Sequence, residues 1–251
     1  MAQPVIYLFD DNPAVAKAMA ESLARWLNGR GQTHIALSGG STPGLLFRLL
    51  AQEYQARIAW NKVHLYWGDE RCVPPDHPES NYGTAHQLLL QHIGIPPENV
   101  HRIRGEADPE EEAERYGREL QASMPTDAEG WPVFDLILLG MGADGHTASI
   151  FPGQMELLHA PKACATARHP DSGQVRITLT GPVLNRGQHV AFLVTGSGKA
   201  DRIHELLGHL QESHLYPAGY IHPAGRLSWW LDQAAAARLD KSLVSPAPPR
   251  I

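Results

Sequence analysis

Apolar residues in this chain come in two alternating rhythms. Short unbroken runs read as strands buried on both faces: Val5-Ile6-Tyr7-Leu8-Phe9, His34-Ile35-Ala36-Leu37, Val63 to Trp67, Phe134 to Leu139 and His189 to Val194. Between them lie stretches with helical spacing. Val15, Met19, Leu23 and Leu27 share one face of a helix that Asp11 or Asn12 caps, Pro13 opens and Gly29 or Gly31 ends. Further helices are predicted from Pro43 to about Gln52, Tyr82 to Ile93, Pro109 to Ser123, Lys199 to about Leu210, and Ala234 to Leu239. The helix at Pro109 has an acidic first turn, which suits the helix dipole. Briefer strands are predicted at Val100 to Ile103, Cys164 to Ala167 and Arg176 to Thr180. This alternation predicts one α/β domain with a mostly parallel twisted sheet, covered by helices on both faces. The domain is expected over residues 1–244, and Ser245 to Ile251 reads as a flexible Pro-rich tail.

In open parallel sheets, ligands bind beyond the carboxyl ends of the strands. Two glycine-rich turns fall at such ends: Ser38-Gly39-Gly40-Ser41-Thr42-Pro43 and Gly140-Met141-Gly142-Ala143-Asp144-Gly145-His146-Thr147. A strand that ends in glycines and hydroxyls before a helix presents bare backbone N–H groups, an arrangement that holds phosphate. The second turn adds a carboxylate and an imidazole where neither gains from core packing. A third strand end carries Gly68-Asp69-Glu70-Arg71, and Arg71 offers a planar fork for a phosphate or carboxylate. Arg176 either does the same or pairs with a carboxylate.

Several motifs fail on inspection. Gly140-x-Gly142-x-x-Gly145 matches a dinucleotide fingerprint, but Phe151-Pro152-Gly153 breaks the helix that should follow. The next strand leads into Arg168 and His169 rather than an acidic residue. Gly196-Ser197-Gly198-Lys199 resembles the end of a Walker A loop, yet Leu193 stands at the first glycine and Ala200 at the Mg²⁺-binding hydroxyl. Lys199 is left either as a phosphate contact or as a solvated lysine. There is no Gly-x-Ser-x-Gly elbow to make Ser41 a nucleophile. His-Glu-x-x-His is absent despite 14 histidines, and His204 and His209 are poorly spaced as ligands.

Bulk properties narrow the field further. A net charge of −6 argues against general nucleic-acid binding but not against a small anionic substrate. Two cysteines, Cys72 and Cys164, are too few for a disulfide framework or a Cys-based zinc site. Met1 to Asp10 lacks the features of a signal peptide, and no apolar run is long enough to span a membrane. The expected compartment is the cytoplasm.

With these pieces assembled, the chain resembles the 6-phosphogluconolactonases of the oxidative pentose phosphate pathway. The matching segments are Leu37 to Pro43, Trp67-Gly-Asp-Glu-Arg71, Ser80-Asn81-Tyr82, Leu139 to Pro152, Arg176 to Thr180, Thr195 to Ala200 and Trp229-Trp-Leu-Asp232. They follow the family's order over nearly the whole chain. The related glucosamine-6-phosphate deaminases share the fold and three of these turns. Their pattern has Tyr after Asp-Glu and Ile-Ala-Phe-Asn-Glu-Pro in the third motif. Here Arg71 and Thr147-Ala-Ser-Ile-Phe-Pro152 stand instead, which favours the lactonase. Many lactonases carry Ser-Pro-Lys-Pro before the Arg-Ile-Thr strand, whereas this chain has His169 to Val175.

The resemblance implies a glucosamine-6-phosphate deaminase-like fold and hydrolysis of 6-phosphogluconolactone, a small sugar phosphate, by water and a general base. It implies no cofactor or metal, no nucleic-acid or membrane partner, and a monomer. His146 is the expected base. Asp144 either orients it or binds a sugar hydroxyl, and Asp69 either orients Arg71 or a hydroxyl. Backbone N–H groups around Gly142, with Arg71 or Asn81, are expected at the developing oxyanion. The phosphate is expected on Gly39, Gly40, Ser41 and Thr42, assisted by Arg176 and Lys199. The rivals are an amino-sugar-phosphate deaminase and a non-catalytic sugar-phosphate sensor.

Overall fold

The structure, a computed structural model, describes residues 4–208, 211–247 and 249–251. In chain order its strands and α-helices are β1 (Val5–Phe9), α1 (Asn12–Leu27), β2 (Thr33–Leu37), α2 (Ser41–Leu49), β3 (Val63–Trp67), β4 (Asp69–Arg71), α3 (Asn81–Leu88) and β5 (Val100–His101). There follow α4 (Pro109–Ser123), β6 (Leu136–Leu139), β7 (Cys164–Arg168), β8 (Val175–Leu179), α5 (Gly181–Leu184), β9 (His189–Val194), α6 (Ala200–Leu207) and β10 (Arg226–Asp232).

Among the described residues, seven strands form one sheet in the order β1-β10-β9-β6-β2-β3-β5, all of its pairings parallel. Every residue of β2, β6 and β9 is buried, so both faces of the central sheet are covered. That is why these strands read as unbroken apolar runs rather than alternating ones. From β2 the chain moves outward through β3 to β5, and from β6 it moves the other way through β9 to β10. The reversal opens a crevice between the carboxyl ends of β2 and β6, the place such sheets use for ligands.

Local chemistry explains the element ends. The Asp11 carboxylate accepts the Ala14 N–H at 2.9 Å and caps α1, whose buried face includes Val15, Met19, Leu23 and Leu27. Asp108 caps α4 in the same way through Glu110 and Glu111. The Tyr116 hydroxyl of α4 accepts the Trp67 N–H at 2.9 Å and donates to the Trp67 C=O at 3.2 Å, fixing the end of β3.

Several expected elements differ. Gly68-Asp69-Glu70-Arg71 does not simply end β3: Asp69–Arg71 forms β4, which pairs antiparallel with β8, and β8 with β7, in a second small sheet. Gly68 joins the two sheets, donating to Leu37 C=O at 2.9 Å and accepting from Leu179 N–H at 2.8 Å. The predicted helix at Ala234 to Leu239 is a run of turns. Asp232 accepts the Ala235 N–H on its side chain at 2.7 Å and the Ala236 N–H on its C=O at 3.0 Å, which closes a turn there. The helix expected from Pro43 starts at Ser41 and ends in a π-turn at Leu50–Tyr54, while that expected from Tyr82 to Ile93 breaks after Leu88. The predicted end of α6 at Leu210 lies outside the described residues, as does His209. In the Pro-rich tail, Ser245 N–H donates to Ile6 C=O at 2.8 Å and Pro249 C=O accepts from the Ser22 hydroxyl at 3.3 Å.

Candidate active site

The two glycine turns follow β2 and β6 and so flank the crevice where the chain reverses direction. At the first, Gly40 has φ 110°, which favours glycine, and provides no side-chain cap for α2. The leading N–H groups of α2 thus have neither an intrahelical nor a capping partner. The Thr42 hydroxyl lies 3.0 Å from that of Thr195, bringing the start of α2 against the loop after β9. That loop is held by buried Asp232 at the end of β10, which accepts the Gly196 N–H on both oxygens at 3.0 Å. Lys199 stands within electrostatic range of Asp144, and burial lowers its ammonium below the usual lysine range against Asp144's pull.

At the second turn, Asp144 Oδ1 and His146 Nδ1 are 2.6 Å apart, and the same oxygen accepts the His146 N–H at 3.2 Å. Burial works to raise the Asp144 carboxyl. The hydrogen bond to His146, its charge and backbone donors outweigh that and hold it below the ordinary carboxylate value. An ionised carboxylate only accepts, so Nδ1 carries a proton and Nε2 is left as the basic nitrogen. Gly142 makes room for the pair: a Cβ there would fall 2.1 Å from His146 Nδ1 and 2.2 Å from Asp144 Oδ1. Phe151, fully buried, backs the imidazole with ring centroids 4.8 Å apart.

One expectation needs correcting here. The Gly142 N–H is not open to a substrate oxygen, because it donates to His146 C=O at 2.9 Å. The turn spends that donor on its own shape.

The Asp-Glu-Arg segment builds the remaining side. Asp69 is buried and accepts from the Ser149 hydroxyl at 2.6 Å, tying β4 to the base-bearing turn. Its other oxygen lies 3.4 Å from the Asn81 amide nitrogen. The Asn81 amide donates to Asp69 C=O at 2.9 Å and lies so close to Gly39 that a Cβ there would come 1.9 Å from its oxygen. Arg71 and Arg176 face each other as cross-strand partners of β4 and β8. Like charges directly opposite are unfavourable, and the Nε of each is buried without a protein partner. Burial and the Arg71 charge lower Arg176 below the usual arginine range, with Asp69, Glu79 and Glu70 pulling the other way. Arg71 also donates from Nη1 to Glu79 C=O at 2.6 Å. Two crowded guanidinium groups with unused donors suit anionic groups of a ligand.

Glu70 has a role that the sequence reading missed. Its buried carboxylate accepts the N–H of Arg71, Asn81 and Tyr82 at 2.7, 2.8 and 2.7 Å, and the Ser80 hydroxyl at 3.1 Å. Burial, helped by the charge of Asp69, holds it above the ordinary carboxylate value against the pull of those three backbone donors. It pins β4 to the start of α3, so Arg71 and Asn81 are set by one group. The available signal was an acidic residue one position from Arg71 in a segment otherwise leaving a buried strand.

A parallel α/β sheet with an Asp–His acid–base pair, an uncapped helix start and paired arginines at its switch point defines a class: enzymes acting on small anionic substrates. Comparison with known proteins gives the family. The family described as glucosamine-6-phosphate isomerases/6-phosphogluconolactonase matches residues 12–229, and the chain belongs to it. It is 47% identical over 208 residues to a 6-phosphogluconolactonase of Haemophilus influenzae, covering 82% of this chain and 87% of that one. With that of a Synechocystis species it is 41% identical over 226 residues, covering 90% and 89%. Among solved structures, a devB protein superposes with TM-score 0.90 at 44% identity, covering 95% of this chain and all of that one. The 6-phosphogluconolactonase of Trypanosoma brucei gives 0.83 at 26% identity, covering 96% and 100%. A monomeric glucosamine-6-phosphate deaminase shares the fold, with TM-score 0.78 at 22% identity over 93% of this chain and 99% of that one.

Proposed function

We propose that this chain hydrolyses 6-phospho-D-glucono-1,5-lactone to 6-phospho-D-gluconate, a step of the oxidative pentose phosphate pathway, with His146 as general base. The observation that carries the assignment of the base is the Asp144–His146 pair at 2.6 Å, on a turn whose glycine leaves it room. A lactone carbonyl is already activated, so a positioned water and a base suffice. His146 Nε2 takes a proton from the water as its oxygen attacks the ring carbonyl carbon. The tetrahedral intermediate then collapses, the C–O bond to the ring oxygen breaks, and the imidazolium returns the proton to that oxygen as it becomes a hydroxyl. Asp144 stabilises the imidazolium in between.

The phosphate is received by the N–H groups and hydroxyls of Gly39 to Thr42, with Arg176 and Lys199 completing the charge. Holding that remote dianion fixes where the ring carbonyl lies relative to His146. With the Gly142 N–H already used and the Asn81 amide committed to Asp69, Arg71 is the expected donor to the oxyanion. Asp69 holds Ser149 and Asn81 in register rather than taking part in proton transfer.

The protein works as a cytoplasmic monomer, with a small sugar phosphate and neither nucleic acid nor membrane as partner. In support, a net charge of −6 disfavours a nucleic-acid partner. Replacing His146 by Ala tests the base: turnover should nearly vanish while 6-phosphogluconate still binds. Lost binding with preserved turnover would refute the assignment.

A further inference from the structure

The pair that would do the chemistry sits on a turn with little regular structure of its own. Asp144 and His146 are only two residues apart, and their side chains are 42% and 29% exposed. Gly145 between them has φ 81°, and Ala148 just beyond has φ 48°. Cross-turn bonds from Gly142 N–H to His146 C=O and from Gly145 N–H to Gly142 C=O narrow the turn. They do not anchor it to the rest of the fold. Water competes for both members of a partly exposed pair, so the 2.6 Å contact depends on where the turn's backbone is held.

That backbone is gripped from outside, on either side of Asp144, by a part of the chain that no motif covers. Arg202, on α6, donates from Nε to Ala143 C=O at 3.2 Å. From Nη1 it donates to the Tyr216 hydroxyl at 2.8 Å, and it is ion-paired with Glu205. Its guanidinium lies 4.6 Å from the centroid of the Tyr216 ring. Tyr216 covers Gly145: a Cβ there would come 2.7 Å from three of the tyrosine's side-chain carbons. Two residues further on, Ala218 N–H donates to Gly145 C=O at 3.1 Å. The 3-10 turn at Pro217–Tyr220 thus completes a clamp on Ala143 and Gly145, the residues on either side of Asp144.

We propose that Arg202 and Tyr216 are positioning residues for the general base, holding the turn so that Asp144 and His146 stay engaged. This rests on the lactonase reading above. The contacts reach the backbone of the turn, so neither residue is assigned a place against substrate. Because α6 begins directly after Lys199, Arg202 stands only three residues from one proposed phosphate contact. A pure positioning role therefore has to be separated from an effect on binding.

The test is steady-state kinetics on freshly prepared 6-phosphoglucono-δ-lactone for the wild type, Arg202→Met, Arg202→Lys and Tyr216→Phe, with thermal melts alongside. The expected result is a fall in kcat of about tenfold for Arg202→Met with KM little changed, since small misplacements of a catalytic group are costly. Arg202→Lys should recover part of the loss. Tyr216→Phe keeps the ring over Gly145 and loses only the hydroxyl, so a smaller fall in kcat is expected. If Arg202→Met does not fold, Tyr216→Phe decides. An unchanged kcat in the folded variants, or a rise in KM that accounts for the whole loss, overturns the clamp. A wild-type protein without lactonase activity would overturn the underlying reading instead, so the two failures are distinct.

Discussion

Replacing Asp144 by Asn isolates the step in which the base becomes charged. The change keeps size and shape but removes the negative charge 2.6 Å from His146 Nδ1. A hydrogen bond to a charged group contributes about 1.5–3 kcal/mol. Here the two side chains are 29% and 42% exposed, so water screens the pair, and the lower part of that range applies, about 1.5–2 kcal/mol. At 1.36 kcal/mol per factor of ten, kcat should fall by about 10- to 30-fold. An asparagine that turns its NH₂ toward Nδ1 shifts the ring proton to Nε2 and deepens the loss, because the base then has no lone pair to offer. The assay is acid release from fresh 6-phosphoglucono-δ-lactone with spontaneous hydrolysis subtracted, read as kcat and KM separately. The Asp144 carboxyl lies below the ordinary carboxylate value, so the wild-type advantage should persist across neutral pH. It should shrink only as pH falls through that lowered value. A kcat unchanged by the substitution, with KM raised, would refute the orienting role and leave Asp144 as a ligand for a sugar hydroxyl.

Other outcomes follow from the same geometry. Gly142→Ala places a Cβ within 2.2 Å of both members of the pair, so a folded variant should lose at least as much kcat as Asp144→Asn. Wild-type kinetics there would show that the turn yields freely. Arg176→Gln should raise KM by about tenfold or more through the loss of a charge-assisted contact, with kcat less affected, and the reverse split would reassign Arg176 to the oxyanion. Burial, helped by the charge of His64, lowers His34 to about 4, and burial, helped by Arg226, lowers His189 to about 4. The unfolded chain protonates these groups near 6.5 while the folded state resists, so stability should be unaffected by them above about pH 6.5 and decline from there to about pH 4. A melting temperature that stays flat between those values contradicts that.

The central sheet was legible because burial on both faces leaves an unbroken apolar run, as at Val63–Trp67 and His189–Val194, where the predicted and observed limits coincide. Of the small sheet, β7 and β8 were legible as short strands, but β4 and the pairing that makes a second sheet were not. Asp69–Arg71 is too short and too polar to show any strand period, and it pairs with Arg176 through contacts far apart in sequence. Trp229 and Trp230 were read as a matching motif but not as β10, although both are buried in it. In the site, Asp144 and His146 could be found because a titratable pair in a glycine turn has no packing reason to be there. That the Gly142 N–H is spent within the turn is a matter of backbone direction, which residue types do not encode. Glu70, Arg202 and Tyr216 escaped for a related reason. Each acts by holding another segment: Glu70 stood inside a motif with no role assigned and Arg202 and Tyr216 stood outside any, and such residues look like ordinary surface until their partners are in place.

The most direct test of the central claim is a paired assay on the wild-type protein and His146→Ala. It measures hydrolysis of fresh 6-phosphoglucono-δ-lactone above the spontaneous rate, beside ammonia release from glucosamine 6-phosphate. The expected result is acceleration of the lactone alone, lost in His146→Ala with product binding retained. Ammonia release without lactone hydrolysis, or full lactonase activity in the His146 variant, would contradict it.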